Sequence, residues 1–152
     1  MSTKNVKNVF REGAISATFV GEAIGKHQTK TTIGAHNIFL GQVRADKIDE
    51  NEVEAIEYTA NEEMANQKFH DIREETFDKF NLTCMHIYHS KGIVKAGEIC
   101  LFVFVSSPSR KHVFEAIEYI VERIKKEVPI FGKELFKAND SSDKTHQWKV
   151  NS

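Results

Sequence analysis

The stretch ICLFVFVSSPSRKHVFEAIEYIVERIKKEV, residues 99–128, decides the fold. Ile99 to Val105 is apolar at every position. A strand without a polar face is one covered on both sides, because a wet face would show alternating polar residues. Directly after it, Val113, Ile117, Ile120, Val121 and Ile124 recur at three- and four-residue spacing, which predicts an amphipathic helix. Ser107 is placed to cap that helix and Pro108 to take its first position, where a missing N–H costs nothing. The helix stops before Pro129.

Working outward, Leu82 to His89 alternates Leu82, Cys84, His86 and Tyr88 with Met85 and Ile87, a strand pattern. Lys91-Gly92 and Ala96-Gly97 read as turns. Asn61 to Phe80 reads as a second helix. Asn61 can cap it, Glu62 and Glu63 suit its positive end, and Ala65, Phe69, Ile72, Thr76 and Phe80 form one stripe. Earlier, Ser16 to Gly25 predicts a short helix, Ala35 to Arg44 a strand opened by Gly34, Asp46 to Glu52 a charged loop, and Val53 to Ala60 a strand. Short extended pieces are expected near Lys133 to Phe136 and Gln147 to Val150. Met1 to Val9 and Ala138 to Thr145 are polar enough to be loose. Strands on either side of helices, joined by short turns, predict an α+β sandwich with helices on one face of a mainly antiparallel sheet.

The chain's 152 residues suit one domain, 1–152. A composition 40% hydrophobic and 28% charged is that of an ordinary globular chain. Twenty-one Lys and Arg against 22 Asp and Glu leave a net charge of −1, so bulk charge offers nothing to nucleic acid. No apolar run reaches the ~18–20 residues of a membrane span, and no apolar segment follows the N-terminus as a secretion signal requires. Two cysteines, Cys84 and Cys100, make no disulfide framework, and a reduced cytoplasmic setting is the default.

Three positions invite chemistry. Ser109, Arg110 and Lys111 lie in the first turn of the helix after Pro108, where open amides attract anions; a plain helix start with solvated cations is the commoner reading of such a turn. Arg44 ends a strand just after Gly41, at a junction that suits a site or an ordinary surface charge. Lys125, Lys126 and Lys133 surround the apolar run Val128-Pro129-Ile130. Lys125 and Lys126 suit the negative end of a helix, and a lysine partly desolvated there could also act in catalysis. Cys84-x-His86-x-x-His89 is rejected as a metal site, since a strand sends His89 to the other face. No cofactor motif is present.

The order of short motifs then becomes informative. Gly34-Ala35, Phe39-x-Gly41-x-Val43-Arg44, Glu57-Tyr58 with Met64-Ala65, and Ile87-Tyr88-His89-x-x-Gly92 come first. Gly97-Glu98, Ser106-Ser107-Pro108-x-Arg110, Ile124-Lys125, Pro129-Ile130-Phe131-x-Lys133-Glu134 and Trp148 follow. In this order the chain resembles the large, catalytic subunit of molybdopterin synthase. The resemblance implies an α/β hammerhead-like fold and a homodimer within a heterotetramer. It implies a small ubiquitin-like sulfur-carrier subunit whose C-terminal Gly-Gly tail, as a thiocarboxylate, enters the large subunit. It implies two sulfur transfers that turn cyclic pyranopterin monophosphate into the molybdopterin dithiolene, with no bound cofactor.

By the same resemblance, Arg44, with Gln42 and Val43 beside it, and Arg110 belong to the substrate site, together with Ser109 and Glu134, and Lys125 is the first catalytic lysine. Each site is expected to form from two protomers, Ser109 and Arg110 facing a neighbour's Arg44 and Lys125. Two departures stand out. Ser109 replaces the usual His, and Phe131-Gly132 replaces Trp-Lys, so the second catalytic lysine is absent from its place and Lys133 is the expected substitute. The other readings are a catalytically impaired dimeric binding module of the same fold and an unrelated binder of phosphate ligands.

Overall fold

The structure, a computed structural model, describes residues 6–137 and 146–149. Its elements in chain order are β1 (Phe10–Glu12), α1 (Ala17–His27), β2 (Ala35–Gln42), β3 (Lys47–Ile48), β4 (Asn51–Ala60) and α2 (Glu62–Lys79). Then come β5 (Cys84–Lys95), β6 (Ile99–Ser107), α3 (Arg110–Glu127), β7 (Ile130–Phe136) and β8 (His146–Trp148). The main sheet runs β2-β6-β5-β4-β7-β8, with β1 beside β5 and β3 beside β4. Among the described residues only the β1–β5 pair is parallel.

The two-sided burial expected of Ile99–Val105 is present. Leu101, Val103 and Val105 enter the main core with Phe69 and Ile72 of α2 and Val113, Ile120 and Ile124 of α3. Phe102 and Phe104, both 0% exposed, enter a second cluster with Ile15 and Val20, against which Phe19, Ala23 and Ile24 pack. The two long helices therefore share one face, as expected, but the short α1, expected on that face too, covers the other. A wholly apolar β6 requires a lid on each side.

The α2 stripe is also as expected, with Ala65, Phe69, Ile72 and Thr76 buried, and Asn61 Oδ1 accepts the Met64 N–H at 3.2 Å. Three expectations need correction. Lys91-Gly92 does not turn the chain: β5 runs on to Lys95, leaving β6 after His89 and pairing with β4 from Gly92. Gly92 has φ 81°, and a Cβ there would sit 2.7 Å from a Glu12 carboxylate oxygen, so the glycine marks a kink beside β1. The cap of α3 is Ser109, not Ser107. Ser107 stays in β6 opposite Ala35, its hydroxyl donating to Asn81 O at 2.8 Å and accepting the Ser109 N–H at 3.2 Å. Pro108 accordingly lies before the helix. The charged loop Asp46–Glu52 contains β3 and the start of β4, turned at Asp49 with φ 58°.

Of the N-terminal residues expected to be loose, Val9 is core, 5% exposed, with its N–H on Asn66 Oδ1. Met1 to Asn5 and Ala138 to Thr145 lie outside the described residues.

Candidate active site

The last turn of α3, β7 and the end of β8 enclose a cleft of about 320 Å³. Lys125 and Lys126 form its helix side, Val128 and Ile130 its apolar wall, and Gly132, Trp148 and Lys149 its strand side. A narrow recess of about 40 Å³, bordered by Tyr58 and His89, continues from the same Lys125, Gly132 and Lys149. Phe131 and Trp148 stand exposed on the rim, at 56% and 58%.

Local sequence explains this arrangement. Lys125 and Lys126 fall in the last turn of α3, where cations complement the helix dipole. Val128 ends the helix, its N–H on Ile124 O, and Pro129 starts the extended chain. Tyr58 opposes Gly132 across the β4–β7 pair, and the missing side chain at Gly132 leaves the Tyr58 ring edge open to the recess.

The floor of the recess is neutral. His89 is buried, and burial pushes its imidazole down to about 4; the bond from Nδ1–H to Ser90 O, 2.7 Å, opposes this, and the nearby Lys125 charge adds to it. Tyr58 meets His89 edge-on with centroids 5.1 Å apart. Burial, then Cys100 and Glu134, hold the phenol well above its ordinary range, so it keeps its proton. Glu127 also lines the cleft, against three lysines, and Arg123 holds its two oxygens at 2.7 and 2.8 Å and keeps its carboxyl below the usual range. The cleft is therefore cationic and suited to an anion.

A second hollow, about 260 Å³, adjoins this one through Trp148 and Lys149. It contains Arg44 and Glu134. Arg44 is 69% exposed at its side chain and pairs with Asp46 at 3.3 Å. Glu134 is buried and accepts from Gln147 Nε2 at 2.9 Å. Gln42 is exposed at the end of β2, past a register shift at Gly41. Val43 is 2% exposed and part of the core, with its N–H and C=O bonded to Glu98 and Gly97, so its side chain reaches no cleft.

Ser109 and Arg110 are exposed at the other end of α3. Fifteen helical residues put Arg110 about 22 Å from Lys125 along the axis. Within one chain the structure brings Lys125 close to the Arg44–Glu134 hollow and leaves Ser109 and Arg110 apart from both. Lys133 is likewise not in the Lys125 cleft. It opposes Glu57, with Nζ 3.6 Å from that carboxylate and 5.7 Å from the Trp148 ring centre. It thus takes the opposite face of β7 from Gly132, as alternation along a strand requires.

The sequence reading missed Tyr58, His89 and Lys149 as cleft residues. Tyr58 and His89 belong to the ordered short motifs, and only pairing across strands shows where they point. Elsewhere, Cys84 meets Lys30 Nζ at 3.0 Å and His86 Nε2 meets His27 Nε2 at 2.9 Å, so these two ring and thiol groups serve the α1 side of the sheet.

Comparison with known proteins agrees with this geometry. The sequence model of the MoaE protein family matches residues 14–127. The molybdopterin synthase catalytic subunit of Pyrococcus abyssi is 36% identical over 116 residues, 76% of this chain and 77% of that protein. The crystal structure of molybdopterin synthase from Staphylococcus aureus superposes with a TM-score of 0.75 at 28% identity, covering 93% of this chain and 95% of that one. A chain in the complex of subunits 1 and 2 of the molybdopterin-converting factor from Helicobacter pylori shares the fold, with a TM-score of 0.72 at 22% identity, covering 86% and 87% of the two chains. This chain belongs to the MoaE family, that of the molybdopterin synthase catalytic subunits.

Proposed function

We propose that the protein transfers sulfur from the C-terminal thiocarboxylate of a small carrier subunit to cyclic pyranopterin monophosphate, forming the molybdopterin dithiolene. The cationic cleft beside Lys125 carries this reading. Its neutral floor and apolar wall keep the local dielectric low, which is where an anionic thiocarboxylate gains most from a lysine charge. The exposed Phe131 and Trp148 on the rim suit an extended tail entering from a partner. The family relationship, and the two-subunit complex of the structurally similar Helicobacter pylori protein, support a small-subunit partner.

In each transfer the thiocarboxylate C–S bond breaks, and a C–S bond forms on the pterin as one of its C–O bonds breaks. The carrier keeps a carboxylate whose new oxygen comes from the pterin or from water, so no oxidant or reductant is consumed. Lys125 stabilises the charge that develops on the attacked carbonyl and the departing sulfur. Arg44 holds the substrate phosphate, and Ser109 and Arg110 of a second copy complete that grip, because one chain holds them too far from Lys125. The setting is cytoplasmic.

The test mixes purified protein, thiocarboxylated carrier and the cyclic phosphate, and measures dithiolene. Product is expected, and Lys125→Ala should lower its rate at least about 100-fold. Carrier binding without product from the unaltered protein would replace the enzyme with a binding module.

A further inference from the structure

The cleft holds a cation that neither composition nor motif order singled out. We propose that Lys149 is the second catalytic lysine of this protein, contacting the same anion as Lys125. The assignment rests on the sulfur-transfer reading above and goes further by naming the residue that compensates for Gly132.

The backbone determines which way Lys149 points. In the β7–β8 pair, Lys133 opposes Trp148 and Glu134 opposes Gln147. One step further, the Lys149 N–H donates to Gly132 O at 2.6 Å. Residues that oppose one another across an antiparallel pair share a face, so Lys149 projects on the Gly132 side and Lys133 on the Trp148 side. A Cβ built on Gly132 would lie 3.7 Å from Lys149 Cβ. The stem of Lys149 therefore begins beside the space that a side chain at position 132 would enter. That space is narrow, with Ile56 Cγ2 at 3.0 Å and Tyr58 Cε1 at 3.4 Å from the same point.

Lys149 also borders all three hollows: the cleft, the recess and the Arg44–Glu134 hollow. It is thus the cation placed between Lys125 on one side and Arg44 on the other. Lys125, Lys126 and Lys149 outnumber Glu127, the carboxylate in the cleft lining, and ammonium groups set around one space repel each other less when an anion lies between them. The site is consequently built to take negative charge and to gain most when charge accumulates in the transition state. Lys149 forms no covalent bond in this scheme; it donates N–H bonds to the thiocarboxylate as the C–S bond breaks.

The experiment uses the protein in complex with its thiocarboxylated carrier. Lys149→Met and Lys149→Arg are compared with the unaltered protein for kcat, for KM of the cyclic phosphate and for carrier affinity by calorimetry. Lys149→Met should lower kcat about 10- to 100-fold with carrier affinity falling by less, and Lys149→Arg should recover most of that loss. Because Lys149 directly follows the edge strand β8, a melting curve for each variant confirms the fold. Unchanged kcat in Lys149→Met overturns this assignment and leaves the sulfur-transfer reading standing. A loss that Lys149→Arg fails to recover overturns the charge role. No dithiolene from the unaltered complex overturns the sulfur-transfer reading, and this assignment with it.

Discussion

His89→Gln tests the neutral floor beneath Lys125 through the pH dependence of folding. His89 is 4% exposed, and its imidazole is pushed down to about 4, against about 6.5 in an unfolded chain. As pH falls, the unfolded chain takes up this proton first. Stability from a neutral His89 is therefore complete above about pH 6.5 and drains away as pH falls toward 4. Between pH 7 and pH 4.5 the two pKa values give a loss of about 2 kcal/mol from this one residue.

Glutamine keeps an N–H donor for Ser90 O and cannot titrate. Urea unfolding at a fixed protein concentration, at half-unit steps from pH 7 to 4.5, measures both proteins. His86, also pushed down to about 4 by burial first and His27 second, steepens both curves equally, as do the carboxyls of Glu52 and Glu127. The difference between the curves isolates His89. It should shrink by about 2 kcal/mol as pH falls, whatever the variant costs at pH 7. Parallel curves would show that His89 titrates normally in the folded protein, and that the cleft floor is not the dry surface described here.

Gly34→Ala should cost about 2 kcal/mol or more, read as a lower melting temperature, because its Cβ is driven into the Pro108 carbonyl while the Gly34 N–H is tied to Ser107 O at 3.0 Å. Gly21→Ala in α1, with no atom within 4 Å of the new Cβ, should instead be neutral or gain up to about 1 kcal/mol. Arg110→Ala and Lys125→Ala proteins, each inactive alone, should regain about a quarter of full activity when mixed and allowed to exchange, since half the dimers are mixed and each has one intact site. No recovery after exchange is shown by mass would place both residues in one chain's site.

Much of this architecture is legible wherever the deciding forces are local. The periodicity of α2 and α3 shows in the order of their apolar residues, because burial of one stripe determines it. The apolar run of β6 shows that both sheet faces are covered, and so implies a lid that an all-on-one-face arrangement lacks. What local reading misses is set by pairing between distant residues. Lys91-Gly92 has the composition of a turn, but β1 and β4 hold it as strand. Ser107 has the composition of a cap, but its pairing with Ala35 keeps it in the sheet and moves the helix start to Ser109. The site follows the same division. Lys125 is visible as a helix-end cation, whereas Lys149 acquires meaning only through its bond to Gly132, seventeen positions earlier in the chain.

The geometry of α3 bears on how many chains one reaction needs. A rigid helix holds Arg110 and Lys125 about 22 Å apart along its axis, and bending enough to bring them together would break the core contacts of Val113, Ile120 and Ile124. A small ligand bound at one end cannot reach the other. The α1 and α2 starts are closed by Ser16 and Asn61 side chains, whereas Ser109 makes no such bond at the start of α3. The first-turn amides of α3 are thus left for an outside acceptor, with Arg110 beside them. If that acceptor is the phosphate bound near Arg44, only a second copy of the chain can present it, and the pairing of two chains becomes part of the catalytic machinery.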